Sequence, residues 1–376
     1  MDCDNEMLEK ILKKVNGVVK EDNEIREFTL IPSVGKDRNV SPINYVWEEH
    51  ALGLETWCAG LLFGYAQKQI FKWRCRKDHD TLNDYLVIAL LINPEVRTFW
   101  NIKRELLDGN LLDCSTELRF SRLVLSWKPK SYEAYSYRIA IFKKIGHAKM
   151  DFREESDLLD SVTRNTPNNY HAWNHRIWCF ENYMLVYETD ALSRELRFSE
   201  DWIKTHVSEH TGFHYRQHVI DSLKGHKLKE IDEYSKLVLN CDSGCTAQHQ
   251  ILYLLIYELH KVLPDLHHHF PGHESIWYHR KYVVHTMHAH LCQIHSVDRD
   301  IPQFEFNGAA KLLDGVARSC RNGVRCLKEE QMQSTNLYKR LVLNEREFLD
   351  GDFKDEDVRL SRNYRMWLRC IVGIIV

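Results

Sequence analysis

The sequence predicts an all-α protein, a crescent-shaped α-α superhelix (a solenoid) of helical hairpin repeats. Three observations carry that prediction. One short frame recurs five times between residues 93 and 281. Glycine (16) and proline (8) are scarce for 376 residues, about half their usual share, which argues against a turn-dense β-sandwich. No stretch shows sustained period-2 alternation.

The frame opens the second helix of each hairpin. Its five copies start at Pro94, Pro129, Pro167, Val207 and Pro271. An aromatic follows six residues on, as Trp100, Tyr135, Trp173, Phe213 and Trp277, and a basic residue nine on, as Lys103, Arg138, Arg176, Arg216 and Arg280. Proline is tolerated at a first helical position, where its missing N–H costs nothing. Asn93 and Thr166 precede it as caps. Offsets three, six and nine or ten then share one helical face. The aromatics are therefore expected in the core between helices, and the basic residues are expected to pin each hairpin to the next. A buried cation needs a partner, a carboxylate or a helix C-terminal carbonyl.

A first helix precedes each copy, over 82–92, 111–127, 152–164, 192–205 and 250–263. Helix, short turn, helix, repeated, is the pattern of a solenoid. The aromatic spacings are 35, 38, 40 and 64 residues, so an insertion of roughly one helix is expected at 224–246. The expected organisation is an N-terminal helical cap (1–77), five repeats (78–297) and a C-terminal cap (298–376).

Composition narrows the function. A net charge of −3 excludes a global basic field, and with it nucleic acid as an expected partner. A hydrophobic share of 44% excludes a mostly disordered chain. The 11 cysteines, without a CxxC, read as free thiols of a reduced, cytoplasmic protein. The start is acidic, so no signal peptide is expected, and the longest apolar run, 86–92, is too short to span a bilayer. His285, His288, Cys292 and His295 recur at helical spacing. One straight helix presents two metal ligands but cannot surround a tetrahedral ion, so no metal site is expected there or at Cys241 and Cys245.

The frame Pro-x-Asn-Tyr-x-x-Trp-x-x-Arg resembles the repeat of protein prenyltransferase α subunits. The closest copy is Pro167-Asn168-Asn169-Tyr170-His171-Ala172-Trp173-Asn174-His175-Arg176. Three stretches, 53–58, 206–216 and 271–277, follow the pattern of one branch of that family. Departures are Val207 for proline, Tyr135 and Phe213 for tryptophan, and Lys103-Arg104 for the usual arginine.

The resemblance implies a heterodimer in which this α chain wraps a β subunit. That partner would hold the zinc and most of the isoprenoid pocket, so no cofactor is expected in this chain. The implied β partner is that of Rab geranylgeranyltransferase. The implied activity is a type III-like geranylgeranyltransferase, moving geranylgeranyl from its diphosphate to a cysteine of a protein such as a farnesylated SNARE. The alternatives are a non-catalytic helical-repeat scaffold and the Rab geranylgeranyltransferase α subunit itself.

Carried over residue by residue, the resemblance marks Lys130, Tyr132 and His171 as catalytic, and Lys130, Asn169, Tyr170 and His171 as diphosphate-binding. All lie in the first turns of the second and third repeats' second helices, and helix N-termini suit anions. At the lysine position the first, fourth and fifth repeats carry Glu95, Ser208 and Gly272 instead.

Overall fold

The computed structural model describes residues 2–32, 45–76, 78–146, 152–188, 190–223, 247–294 and 327–374. The expected insertion at 224–246, with Cys241 and Cys245, and also His295, lie outside the described residues. The chain divides into two compact units, Met1–Cys179 and Phe180–Val376.

The first unit begins with α1 (Asp2–Glu21), three strands, β1 (Glu27–Ile31), β2 (Tyr45–Glu48) and β3 (Ala51–Glu55), and α2 (Thr56–Trp73). Three hairpins follow: α3 (His79–Ile92) with α4 (Arg97–Asp108), α5 (Cys114–Trp127) with α6 (Tyr132–Ile145), and α7 (Phe152–Asn165) with α8 (Tyr170–Cys179). Asp78 and Asp113 cap α3 and α5 by accepting from the backbone N–H of Thr81 and Thr116. First helices stack on first helices and second on second, α3 on α5 on α7 and α4 on α6 on α8.

The sheet corrects the expectation of an entirely helical N-terminal region. Its order is β1-β3-β2, with β1 parallel and β2 antiparallel to β3. Its strands are five, four and five residues long, too short for alternation to stand out in sequence. Phe28, Leu52 and Leu54 are buried in the core they share with α1 and α2. Asp22 fastens the turn after β2: its carboxylate accepts from Trp47 Nε1 at 2.9 Å and pairs with His50 Nδ1 at 2.9 Å.

The second unit opens on a π-helical turn (Phe180–Met184) and a short helix α9 (Leu185–Tyr187), followed by the hairpin α10 (Ala191–Thr205) and α11 (His210–Ser222). Next come α12 (Ala247–Tyr257), a second π-helical turn (Glu258–Val262), α13 (Leu263–His269) and α14 (Glu274–Ile294). A final hairpin pairs α15 (Leu327–Leu349) with α16 (Asp355–Trp367), which runs into a third π-helical turn (Leu368–Val372).

A buried clasp joins successive hairpins. In the first unit Lys103 donates to both Glu117 oxygens at 2.8 Å, and Arg138 pairs with both oxygens of Glu155. In the second unit Arg216 pairs with Glu258, and Arg280 with Glu345 at 2.8 and 3.0 Å. Each glutamate sits on the first helix of the following hairpin. It also meets a side chain one residue before that hairpin's own basic position: Tyr137 on Glu117, His175 on Glu155, His279 on Glu258 and Tyr364 on Glu345, and Tyr215 meets Glu195 in the same way. Arg176 Nη1 pairs with Asp160 of its own hairpin. Glu345 and Tyr364 therefore make α15 and α16 a sixth hairpin of the same design, one that no proline–aromatic frame announces.

The aromatic six residues on has a second duty. Trp100 and Trp173 donate Nε1–H to the carbonyls of Pro94 and Pro167, at 2.7 and 2.9 Å, and the Tyr135 hydroxyl donates to Pro129 at 3.0 Å. Each ring thus ties the turn to the helix it starts. Trp277 donates to Asp357 of the last hairpin instead, at 2.7 Å. Two glycines are required by close approach. A Cβ at Gly212 would lie 2.1 Å from the Trp202 indole, and Gly272, at φ +82°, would meet the Glu356 side chain at 2.8 Å.

The clasps set an acid limit on stability. Burial opposes ionisation of Glu155, but the Arg138 charge and the His175 and Arg138 hydrogen bonds outweigh it, holding its pKa at about 2. Arg216 and His279 do the same for Glu258 against its burial, again to about 2. In the unfolded chain both groups take up protons first, near the ordinary glutamate value of about 4.3. Their contribution is therefore full above about pH 5 and is lost as the pH falls toward 2. Helical circular dichroism should hold steady from pH 7 to 5 and collapse below; retention of the full signal at pH 2 would refute the ionised clasp.

Candidate functional site

The turns that open α6 and α8 lie side by side, and Asn169 holds them there. It is 1% exposed. Its Nδ2 donates to the Pro129 carbonyl of the neighbouring turn, and its Oδ1 accepts from the Ala172 N–H at 3.2 Å as the N-cap of α8. Asn169 therefore does not join the anion-facing surface expected of it, because both ends of its amide are committed inside the fold.

The other four candidates do come together in the open. Tyr132 and Tyr170, the first residues of α6 and α8, are 51% and 65% exposed. The His171 ring lies 5.6 Å from each tyrosine ring, edge-on to Tyr170. Lys130 is exposed and donates from Nζ to Asn168 Oδ1 at 3.1 Å. An ammonium, two phenols and an imidazole thus border two adjacent helix N-termini, an arrangement of donors and positive dipole ends suited to a polyanion such as a diphosphate.

Lys130 has no carboxylate partner among the described residues. Several other cations of these hairpins face carboxylates: Arg97 and Arg104 meet Glu133 at 2.6 and 3.4 Å, and Lys103, Arg138 and Arg176 are paired as described, whereas Arg119 meets the Asn23 amide oxygen and Lys144 donates to the Asp108 carbonyl at 3.3 Å. Lys130 meets only the neutral amide of Asn168 among the described residues, so its charge stays available. Two of its three ammonium protons are unused.

Glu155, His175 and Cys179 bring a carboxylate oxygen, an imidazole nitrogen and a sulfur within 4.8 Å of one another. Arg138 already neutralises this carboxylate. The same imidazole–glutamate contact recurs at His279 and Glu258, where Val283 takes the cysteine's place. The group is the repeat's clasp with a buried thiol beside it, and it does not suit a divalent cation. On α14, Cys292 Sγ approaches His288 Nε2 at 3.6 Å, and His288 packs on Tyr338.

Sequence reasoning missed Asn168 as the partner of Lys130 and the clasp glutamates as partners of the basic residues. A signal for the latter existed. Glu117, Glu155 and Glu195 each precede Tyr137, His175 and Tyr215 by 20 residues. The corresponding separations in the later hairpins are 21 and 19.

Stacked hairpins with this turn and clasp define a helical-repeat protein. The family model for the protein prenyltransferase alpha subunit repeat matches residues 152–183 and 192–223, the third and fourth hairpins. Over nearly its whole length the chain is similar to protein prenyltransferase alpha subunit repeat-containing protein 1. It is 28% identical to that of Danio rerio, covering 98% of this chain and 97% of that protein. It is 27% identical to that of Homo sapiens, covering 96% of each. A more distant likeness, 22% over 54% of this chain and 34% of the relative, is to the geranylgeranyl transferase type-2 subunit alpha of Rattus norvegicus. No helix among the described residues is long and apolar enough to cross a membrane.

Proposed function

We propose that this chain is the α subunit of a cytoplasmic, heterodimeric protein geranylgeranyltransferase, paired with the β subunit of Rab geranylgeranyltransferase. The observation that carries the reading is the un-neutralised Lys130 beside Tyr132, Tyr170 and His171 at two adjoining helix N-termini. The likeness to an α subunit named for geranylgeranyl transfer supports it.

In the reaction, a cysteine thiolate of the acceptor protein, such as a farnesylated SNARE, forms a bond to C1 of the geranylgeranyl group. The C1–O bond breaks, and its electron pair leaves with the diphosphate. Negative charge grows on the departing oxygen. Lys130, the two tyrosine hydroxyls and the His171 imidazole stabilise that charge more than they stabilise the bound donor, which lowers the barrier. The zinc that binds the thiolate belongs, in this reading, to the β subunit.

The test is co-expression with that β subunit, then transfer of labelled geranylgeranyl to cysteine-ended acceptors. A 1:1 complex is expected. Lys130→Ala should lower turnover at least about 10-fold, equivalent to ~1.4 kcal/mol of transition-state stabilisation. A complex whose turnover ignores Lys130→Ala and His171→Ala would leave a scaffold in place of a catalytic subunit. No complex would refute the pairing.

A further inference from the structure

We infer that Asn168 is a positioning residue for Lys130. It aims the ammonium at the donor diphosphate while leaving its charge intact. The inference rests on the diphosphate reading of this site.

Lysine carries a long, freely rotating stem, and holding it in one direction costs rotamer entropy. A carboxylate partner would hold it but would cancel the charge the diphosphate needs. An amide oxygen fixes direction and cancels nothing. Lys130 has that second kind of partner, whereas the neighbouring Arg97, Lys103, Arg104 and Arg138 have the first.

The contact is also built on a fixed base. Asn168 lies in the turn before α8, and Lys130 in the turn before α6. The adjacent, buried Asn169 joins those two turns through the Pro129 carbonyl, which the Tyr135 hydroxyl braces at 3.0 Å. The backbones that carry donor and acceptor are thus tied together one residue away from each. No other repeat of the five can form this pairing through a lysine at that position, which elsewhere holds Glu95, Asn168 itself, Ser208 or Gly272.

The experiment uses the heterodimer with the Rab geranylgeranyltransferase β subunit, with geranylgeranyl diphosphate varied at saturating acceptor. Asn168→Ala is expected to lower kcat/KM for the diphosphate 3- to 10-fold. Asn168→Asp should lower it further, since it pairs with Lys130 and repels the diphosphate. Asn168→Gln keeps a neutral acceptor and should fall less than alanine. In the Lys130→Ala background, Asn168→Ala should add no further loss. Melting temperatures should be unchanged throughout, since Asn168 is exposed. Equal activity of the alanine and aspartate variants, or full additivity with Lys130→Ala, would overturn the inference while Lys130 itself stands. An unimpaired Lys130→Ala heterodimer would instead sink the diphosphate reading, and this inference with it.

Discussion

Replacing Arg216 with leucine is expected to destabilise the second unit by about 3–5 kcal/mol, the usual cost of leaving one member of a buried ion pair alone. Arg216 is fully buried. Its guanidinium bonds both oxygens of Glu258 and reaches the Leu196 carbonyl at 2.8 Å, Ser199 Oγ at 3.1 Å and Glu200 at 3.4 Å. Leucine fills part of the volume but leaves the buried Glu258 carboxylate with His279 as its remaining partner, while the Leu196 carbonyl keeps the Ser199 hydroxyl at 3.0 Å. In a repeat array each interface supports its neighbours, so the loss should spread beyond one hairpin. Pairing Arg216→Met with Glu258→Gln should recover a large part of the loss. That pair removes both charges, and the glutamine amide oxygen still faces His279. Urea unfolding of the two variants measures this. A single-variant cost below about 1 kcal/mol would mean that water reaches the pair and that the clasp behaves as a surface salt bridge.

What the sequence could and could not disclose follows from where each interaction is local. The proline–aromatic–basic frame is written within ten residues, one side of a single helix, so five hairpins were legible from it. The sixth was not, because α16 has Arg362 and Glu356 where an aromatic and a proline would stand; only Tyr364 and Glu345 betray it, and they are 19 residues apart. The sheet escaped because its strands are shorter than a readable period.

At the candidate site, Lys130, Tyr132, Tyr170 and His171 were identifiable by resemblance, and the fold gathers them. Asn169 stands apart from these four. Its neighbours in sequence are exposed, but its own side chain turns inward to a carbonyl 40 residues away. First-turn residues face either a ligand or the preceding repeat, and nothing within the motif distinguishes the two. Asn168, the residue that does reach the surface, occupies a position the frame leaves free.

Trp100→Ala is expected to cost the first unit about 3–5 kcal/mol, as large-to-small changes at buried aromatics do. Trp100 is fully buried, with its ring 5.1 Å from Tyr137 and 6.0 Å from Phe120. Trp100→Phe keeps most of the ring contact and removes the donor to the Pro94 carbonyl, so it should cost only about 1–2 kcal/mol. The fourth repeat already carries that exchange in Phe213, and the structure shows how it is tolerated. The Val207 carbonyl, deprived of an indole, receives the Ser275 hydroxyl of the next hairpin. Ser275→Ala should therefore be costly, about 1–3 kcal/mol for a buried acceptor left unmet. By contrast, the Pro129 carbonyl has two donors, Tyr135 and Asn169. Tyr135→Phe should then fall at the low end of hydrogen-bond deletions, below about 1 kcal/mol. Thermal or urea unfolding of Trp100→Phe, Ser275→Ala and Tyr135→Phe ranks the three turns. If Tyr135→Phe proved as damaging as Ser275→Ala, the carbonyl account of the recurring frame position would fail and ring packing alone would have to explain it.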